Sequence, residues 1–277
     1  MTDQPSQNIS ETDVYDNQWG DAPTPVERQY DNPQPESTSF ALVVTTEGVI
    51  YAVLFSLVAL MFTLSLGVVP LTENEITRAL AAWQALQLNA EPSAIADSAL
   101  LQLGHLITLG MLGDGEAVLR LPTALTAIAL VFSPLLFRDL LGKARTLIFS
   151  VLLAVSPIVI ASARLDHPAV WEVGLTLLGL WAIVRYLRSD ANKTPWAVTA
   201  TTLLAGAALL AGPTGHVFVL ILLLGLLIAD QLNPHISAAN LISVGRAWPW
   251  ITAVSFAALA VVVISTVFML YPRGLDA

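Results

Sequence analysis

The chain has 277 residues, of which 55% are hydrophobic and 12% charged, about half the charged share usual in soluble domains. Its net charge of −9 arises at one end: Asp3, Glu11, Asp13, Asp16, Asp21, Glu27, Asp31, Glu36 and Glu47 face Arg28 alone in residues 1–47, and the rest is close to neutral. No basic patch exists to neutralise phosphates, which excludes nucleic acid as a partner, and the absence of cysteine excludes disulfides, thiolate metal sites and thiol nucleophiles.

Residues 1–47 read as a disordered acidic cytoplasmic tail, rich in Asp, Gln, Pro, Ser, Thr and Asn and too poor in aliphatics to bury a core. They lack the basic start and short apolar run of a cleavable signal peptide. Composition favours a solvated leader, although the sparse aromatics Tyr15, Trp19, Tyr30 and Phe40 could dock on a partner subunit.

Residues 48–277 read as an all-α polytopic membrane module. A spanning helix needs about 20 mostly apolar residues, and seven stretches qualify: 48–69, 121–137, 144–163, 169–187, 196–211, 216–231 and 250–270. An eighth, 99–113, is shorter and carries Gln102, Gly104 and His105. Its length and polarity predict a re-entrant or interfacial helix instead of a span. The connections 138–143 and 211–215 are short, so the helices they join are expected to be antiparallel neighbours.

Lys and Arg concentrate in cytoplasmic loops. With seven spans and the N-terminus inside, Arg28, Arg138, Lys143, Arg145, Arg185, Arg188, Lys193 and Arg246 are cytoplasmic, and Arg78, Arg120, Arg164 and Arg273 face outward. If 99–113 crossed as well, most of the positive charge would move outside unless the whole chain were inverted. The adopted arrangement makes 71–120 a long outer loop and puts the module in the plasma membrane. It gathers Glu73, Glu75, Asp97, His105, Glu116, Arg120, Arg164, Asp166, His167 and His216 at the outer face. Ionisable groups at membrane depth are costly and mark candidate function.

Four segments of this face carry chemistry. Thr72 followed by Glu75 fits a capping box that opens a helix through about residue 88, whose apolar face Ile76, Leu80, Trp83 and Leu86 suits the bilayer surface. Glu73 or Glu75 could alternatively serve as base for an acceptor hydroxyl. In the turn from Ser162 to Pro168, Arg164 offers a planar fork for a phosphate. Asp166 could orient that arginine, or share a divalent metal with His167; no further spaced ligands support a metal, and no cofactor motif is present. Glu116 and Arg120 stand at i, i+4, a spacing suited to a helical ion pair. Gly212-Pro213-Thr214-Gly215 forms a tight turn before His216, with small residues that let a lipid headgroup approach the backbone.

In this order, NEITRALAAW (74–83), LGDGEAVLRLPTALTAIALV (112–131), AVSPIVIASARLDHPAV (154–170) and LLAGPTGHVFVLILLL (209–224) resemble stretches of the polytopic GT-C-type glycosyltransferases that use polyprenyl-phosphate sugars. That group includes protein O-mannosyltransferase-like and lipid A aminoarabinose transferases; within it the chain looks closest to archaeal and Chloroflexota proteins linked to sugar-lipid flippases. The resemblance implies sugar transfer from a polyprenyl-phosphate donor at the outer face. It places Asn74 where the family's Asp serves as general base, Glu75 at the neighbouring Glu, and Arg164 and Asp166 in the phosphate-side turn. Arg120, His167 and His216 join them as candidate substrate contacts.

Asn74 cannot take a proton, Gly212 stands where the family has Lys, and the family's enzymes continue beyond this module. A second reading therefore stands beside the enzyme: a non-catalytic membrane subunit that binds a lipid headgroup or scaffolds a complex. A transporter is disfavoured, since no inverted repeat or broken mid-span helix pair is apparent in the sequence.

Overall fold

The computed structural model describes residues 45–64, 66–68, 70–86, 98–189, 193–232 and 238–266. The acidic tail up to residue 44, Asp97 and the end of the chain with Arg273 lie outside the described residues. Chain contacts divide the protein into residues 1–43 and 44–277, and everything below concerns the second unit. Every regular element among the described residues is helical.

Local chemistry sets the helix ends. Helix α1 (Thr46–Thr63) is capped by Thr45, whose hydroxyl accepts from Gly48 N at 3.1 Å. It starts two residues before the expected span because Glu47 belongs to its first turn, where a carboxylate complements the helix dipole. There Glu47 accepts a 2.8 Å hydrogen bond from Arg138 and lies 3.7 Å from Lys143. Next come α2 (Glu73–Leu86) and α3 (Ala99–Leu112), the latter capped by Ser98.

Helix α4 (Glu116–Phe132) tightens into a 3-10 turn at Ser133–Phe137, where Pro134 supplies no N–H, and continues as α5 (Arg138–Leu141). Helices α6 (Lys143–Ala154) and α7 (Pro157–Arg164) meet at a 53° bend. Pro157 causes it by removing a donor and restricting Ser156 to extended backbone. The remaining helices are α8 (Ala169–Arg188), α9 (Thr194–Leu209), α10 (Gly215–Leu232), α11 (Ala238–Ala247) and α12 (Trp250–Ser265).

Among the described residues three helical stretches are long and apolar enough to cross a bilayer: α1, the continuous 116–141 and α8; the bent α6–α7 pair makes a fourth. The sequence predicts seven. The difference lies in the bend of the third predicted span and in the last three, since α9 and α12 have 16 residues each and the apolar part of α10 covers only Gly215–Ile228. Leu57, Leu60, Ile148, Leu220 and Ile251 are exposed, an outward apolar surface suited to lipid instead of water.

The interior is held by close packing. Val58 and Phe62 of α1 meet Ala127 and Val131 of α4, Ala163 of α7 and Val170 of α8 in one cluster. Between helices in lipid, where tails are as apolar as Leu, contact depends on small residues that let backbones approach. Gly179 of α8 illustrates it: a Cβ there would come within 2.6 Å of Leu204 on α9.

The two ends of the bundle differ. At one, Glu47, Arg138, Asp139 and Arg185 neighbour an aromatic group in which Trp181 meets Trp196 edge-on at 5.2 Å and Tyr186 meets Trp248 at 4.5 Å. Such aromatics favour a membrane–water boundary. At the other end α3 lies across helix termini. Leu100 N donates to Leu210 O beyond α9, Gly104 abuts Pro122 of α4, and His105 meets the α7–α8 turn. The short eighth apolar stretch thus packs against α4 and against the segments that follow α7 and α9.

Candidate functional site

The charged residues at this end are placed by three separate pieces of local chemistry. The first is the start of α2. Thr72 N donates to Glu75 Oε2 at 2.7 Å while Glu75 N donates to Thr72 Oγ1 at 3.4 Å, the reciprocal pattern of a capping box. That cap turns Glu75 inward and leaves Glu73 and Asn74 exposed.

Glu75 then meets Arg120 side-on. Arg120 Nε donates to Oε1 at 2.8 Å and Nη2 to Oε2 at 2.9 Å, with Glu75 3% and Arg120 1% exposed. The guanidinium also donates through Nη1 to Leu66 O at 2.7 Å and through Nη2 to Pro70 O at 3.2 Å, the carbonyls of the segment that leaves α1. Burial pushes the Glu75 carboxyl up, but the hydrogen bonds from Arg120 and Thr72 outweigh it and hold the carboxyl below its usual range. The sequence predicts an Arg120–Glu116 pair along one helix. Instead these hydrogen bonds of Arg120 reach across to α2, and Glu116 is exposed. A buried fork needs a carboxylate that is itself shielded from water.

The second piece is the turn between α7 and α8. Asp166 adopts φ +48°, the left-handed region that Asp and Asn tolerate better than most residues. The twist points its carboxylate into the protein, where it is 1% exposed. Oδ1 accepts from Thr123 Oγ1 at 2.5 Å, Oδ2 lies 3.0 Å from His105 Nε2, and the backbone carbonyl accepts from Arg78 Nη1 at 3.0 Å. The sequence allows Asp166 to orient Arg164, but the structure sends them apart. Arg164 donates to Met61 O at 3.0 Å, near the end of α1, and its Nε is buried without a hydrogen-bond partner.

His167 turns outward and caps α8 by accepting from Ala169 N at 3.1 Å, so it does not join Asp166 around a metal. Among the described residues no group of three His, Asp or Glu side chains is placed to hold a metal ion. His216 is exposed at the start of α10.

The third piece is a residue that the sequence reading passes over. Glu172, in the first turn of α8, is fully buried. Its Oε1 accepts from Thr214 N at 3.1 Å and its Oε2 from the Thr214 hydroxyl, fastening the 210–214 turn to α8. A carboxylate one turn inside an apolar run is itself the signal that could have marked it.

Below this polar end an apolar groove of about 440 Å³ runs between α4 and α8, lined by Thr126, Phe132, Trp171, Gly174 and Leu178 among others. Thr126 lies one helical turn beyond Thr123, the residue that binds Asp166, and Trp171 packs beside Gly104. Asp166 is thus tied, through Thr123, to α4 one helical turn from a hydrocarbon-lined slot, and ionic groups beside an apolar groove suit an amphipathic molecule with a charged head and an apolar chain. No family model, no curated protein and no solved structure matches the chain.

Proposed function

We propose that this chain is the membrane module of a GT-C-type glycosyltransferase that moves a sugar from a polyprenyl-phosphate donor to an acceptor at the outer face of the plasma membrane. The observation that carries the reading is the cluster of Asp166, His105 and Arg78, tied through Thr123 to the helix whose next turn lines the α4–α8 groove. The isoprenoid chain lies in that groove, and the phosphate lies near Arg164, whose buried Nε has no hydrogen-bond partner. Stabilising charge on the departing phosphate is the main contribution asked of the arginines.

In this arrangement α1, α4–α5, α6–α7, α8, α9, α10 and α12 cross the bilayer, with α2 and α3 lying over their outer ends. Two contacts support alternating directions. Glu47 joins Arg138 at one end of α1, and Arg120 grips the carbonyls of Leu66 and Pro70 beyond the other. The lysine and arginine bias then orients the N-terminus to the cytoplasm. The exposed stripe of Ile76, Leu80 and Trp83 on α2 rests on membrane lipid.

A second reading, a non-catalytic subunit that binds a lipid headgroup within a complex, is favoured by one observation. Glu75 is saturated by Arg120 and Thr72, and Asn74 beside it cannot accept a proton. Reconstituted protein supplied with labelled polyprenyl-phosphate sugar and a crude acceptor extract separates the two. Transfer that disappears with Arg164→Ala supports the enzyme. Absence of transfer, with another membrane protein co-purifying in fixed ratio, supports the subunit.

A further inference from the structure

The geometry points to His105 as the proton acceptor of the transfer reaction, with Asp166 as its positioning residue; this rests on the glycosyltransferase reading. Of the two candidate bases identified from the sequence, Glu73 is exposed at the start of α2 and Glu75 is spent. Glu75 accepts from Arg120 through both oxygens, and Glu172 is committed to Thr214. His167 accepts a backbone hydrogen bond at an exposed turn. His105 differs from all of these: the ring is 1% exposed, Nε2 stands 3.0 Å from Asp166 Oδ2, and Nδ1 is buried without a hydrogen-bond partner.

An orphaned buried nitrogen is uncommon in folded proteins and calls for a reason. The Asp166 contact supplies one, because a carboxylate at Nε2 favours the tautomer with its proton there and leaves the lone pair on Nδ1. The Nε2–H direction is off the line to Oδ2, since Nε2 too makes no aligned hydrogen bond, and catalytic contacts of unliganded sites are commonly loose in this way. Asp166 is held against drift by Thr123 on one oxygen and by Arg78 on its carbonyl. The charged groups around the ring are therefore Asp166 from the α7–α8 turn, Arg78 from α2 and, acting on Asp166 through space, Arg120 from α4. Gly104, next to His105, abuts Pro122 and Trp171, and Trp171 lines the groove. Trp171 thus links the segment that carries His105 to the slot assigned to the donor lipid.

The step balances without another reagent. The acceptor hydroxyl gives its proton to His105 Nδ1 as its oxygen bonds to the anomeric carbon. The bond from that carbon to the phosphate oxygen breaks, and its electron pair leaves with the polyprenyl phosphate. Asp166 faces the imidazolium that forms, which lowers the cost of its charge.

The test uses the full chain in bilayers with a labelled polyprenyl-phosphate sugar, comparing wild type, His105→Gln and Asp166→Asn. Asparagine tolerates the left-handed backbone at 166, so the turn survives while the charge is lost. General-base loss lowers kcat by roughly 100-fold or more in His105→Gln, with KM little changed. Nitrogen-15 spectra of labelled histidine report the Nε2–H tautomer in wild type and its loss in Asp166→Asn, independently of turnover. Wild-type transfer that persists within twofold in a folded His105→Gln variant overturns the role of His105 and leaves the glycosyltransferase reading standing. No transfer by the wild type overturns both, and the wild-type control alone reveals it.

Discussion

Glu75 and Arg120 lie 45 residues apart in sequence and meet through two hydrogen bonds of 2.8 and 2.9 Å in the buried interior. The pair ties the first turn of α2 to α4, and through Leu66 O and Pro70 O it also holds the exit from α1. Removing one partner leaves the other charge buried and uncompensated. Glu75→Gln is therefore expected to destabilise the protein by about 3–5 kcal/mol, measured by reversible unfolding in mixed micelles. Arg120→Lys should lose most of that energy too, because a point charge cannot reproduce the side-on fork. A cost below about 1 kcal/mol, the range of exposed pairs, would mean that water reaches the contact.

The same pair imposes a pH dependence with a definite sign. The Glu75 carboxyl is held below its ordinary range in the fold, so the unfolded chain binds its proton first as pH falls. Its contribution is complete above the unfolded value of about 4.3 and is lost as pH falls through the lower folded value. Unfolding free energy followed downward from neutral pH should drop more steeply in wild type than in Glu75→Gln across that acid window. Parallel curves would assign the acid sensitivity to other carboxylates.

Gly212 is where Glu172 leaves no room. A Cβ on residue 212 would stand 2.3 Å from Glu172 Oε1 and 3.0 Å from Pro168 Cβ. Gly212→Ala should cost about 1–3 kcal/mol through overpacking. Combining it with Glu172→Ala should cost less than the sum of the two single changes, since the clash then disappears. Additive penalties in the double-mutant cycle would refute this coupling.

Gly104 is the corresponding contact beneath α3. Its added Cβ would lie 2.9 Å from Pro122 Cβ and 3.7 Å from the Trp171 ring. Gly104→Val is expected to lift α3 from α4 and change the Trp171 surroundings, visible as a shift in tryptophan emission against a Trp171→Phe control. An unchanged spectrum would show that α3 yields without moving.

Because the chain lacks cysteine, topology can be read with single introduced thiols. Lys143→Cys and Lys193→Cys should react only from the cytoplasmic side. Thr214→Cys and His167→Cys should react only from outside. Asp166 is unsuited to this use because its side chain is buried. Labelling of His167→Cys from the cytoplasm would invert the proposed orientation and remove the site from the outer face.

Much of this architecture follows from the sequence alone, because its causes are local. Apolar runs become helices in lipid, where backbone groups must be satisfied within the segment. Thr72 and Glu75 mark the start of α2 three residues apart. Only the tertiary structure decides which partner each charge takes. Arg120 reaches Glu75 instead of Glu116, Asp166 turns to His105 and Thr123 instead of Arg164, and Glu172 holds Thr214 from 42 residues away. Spacing along a helix says which groups are neighbours on its surface. In a buried, poorly screened interior, a charge is instead held by whichever opposite group the packing of distant helices brings within reach.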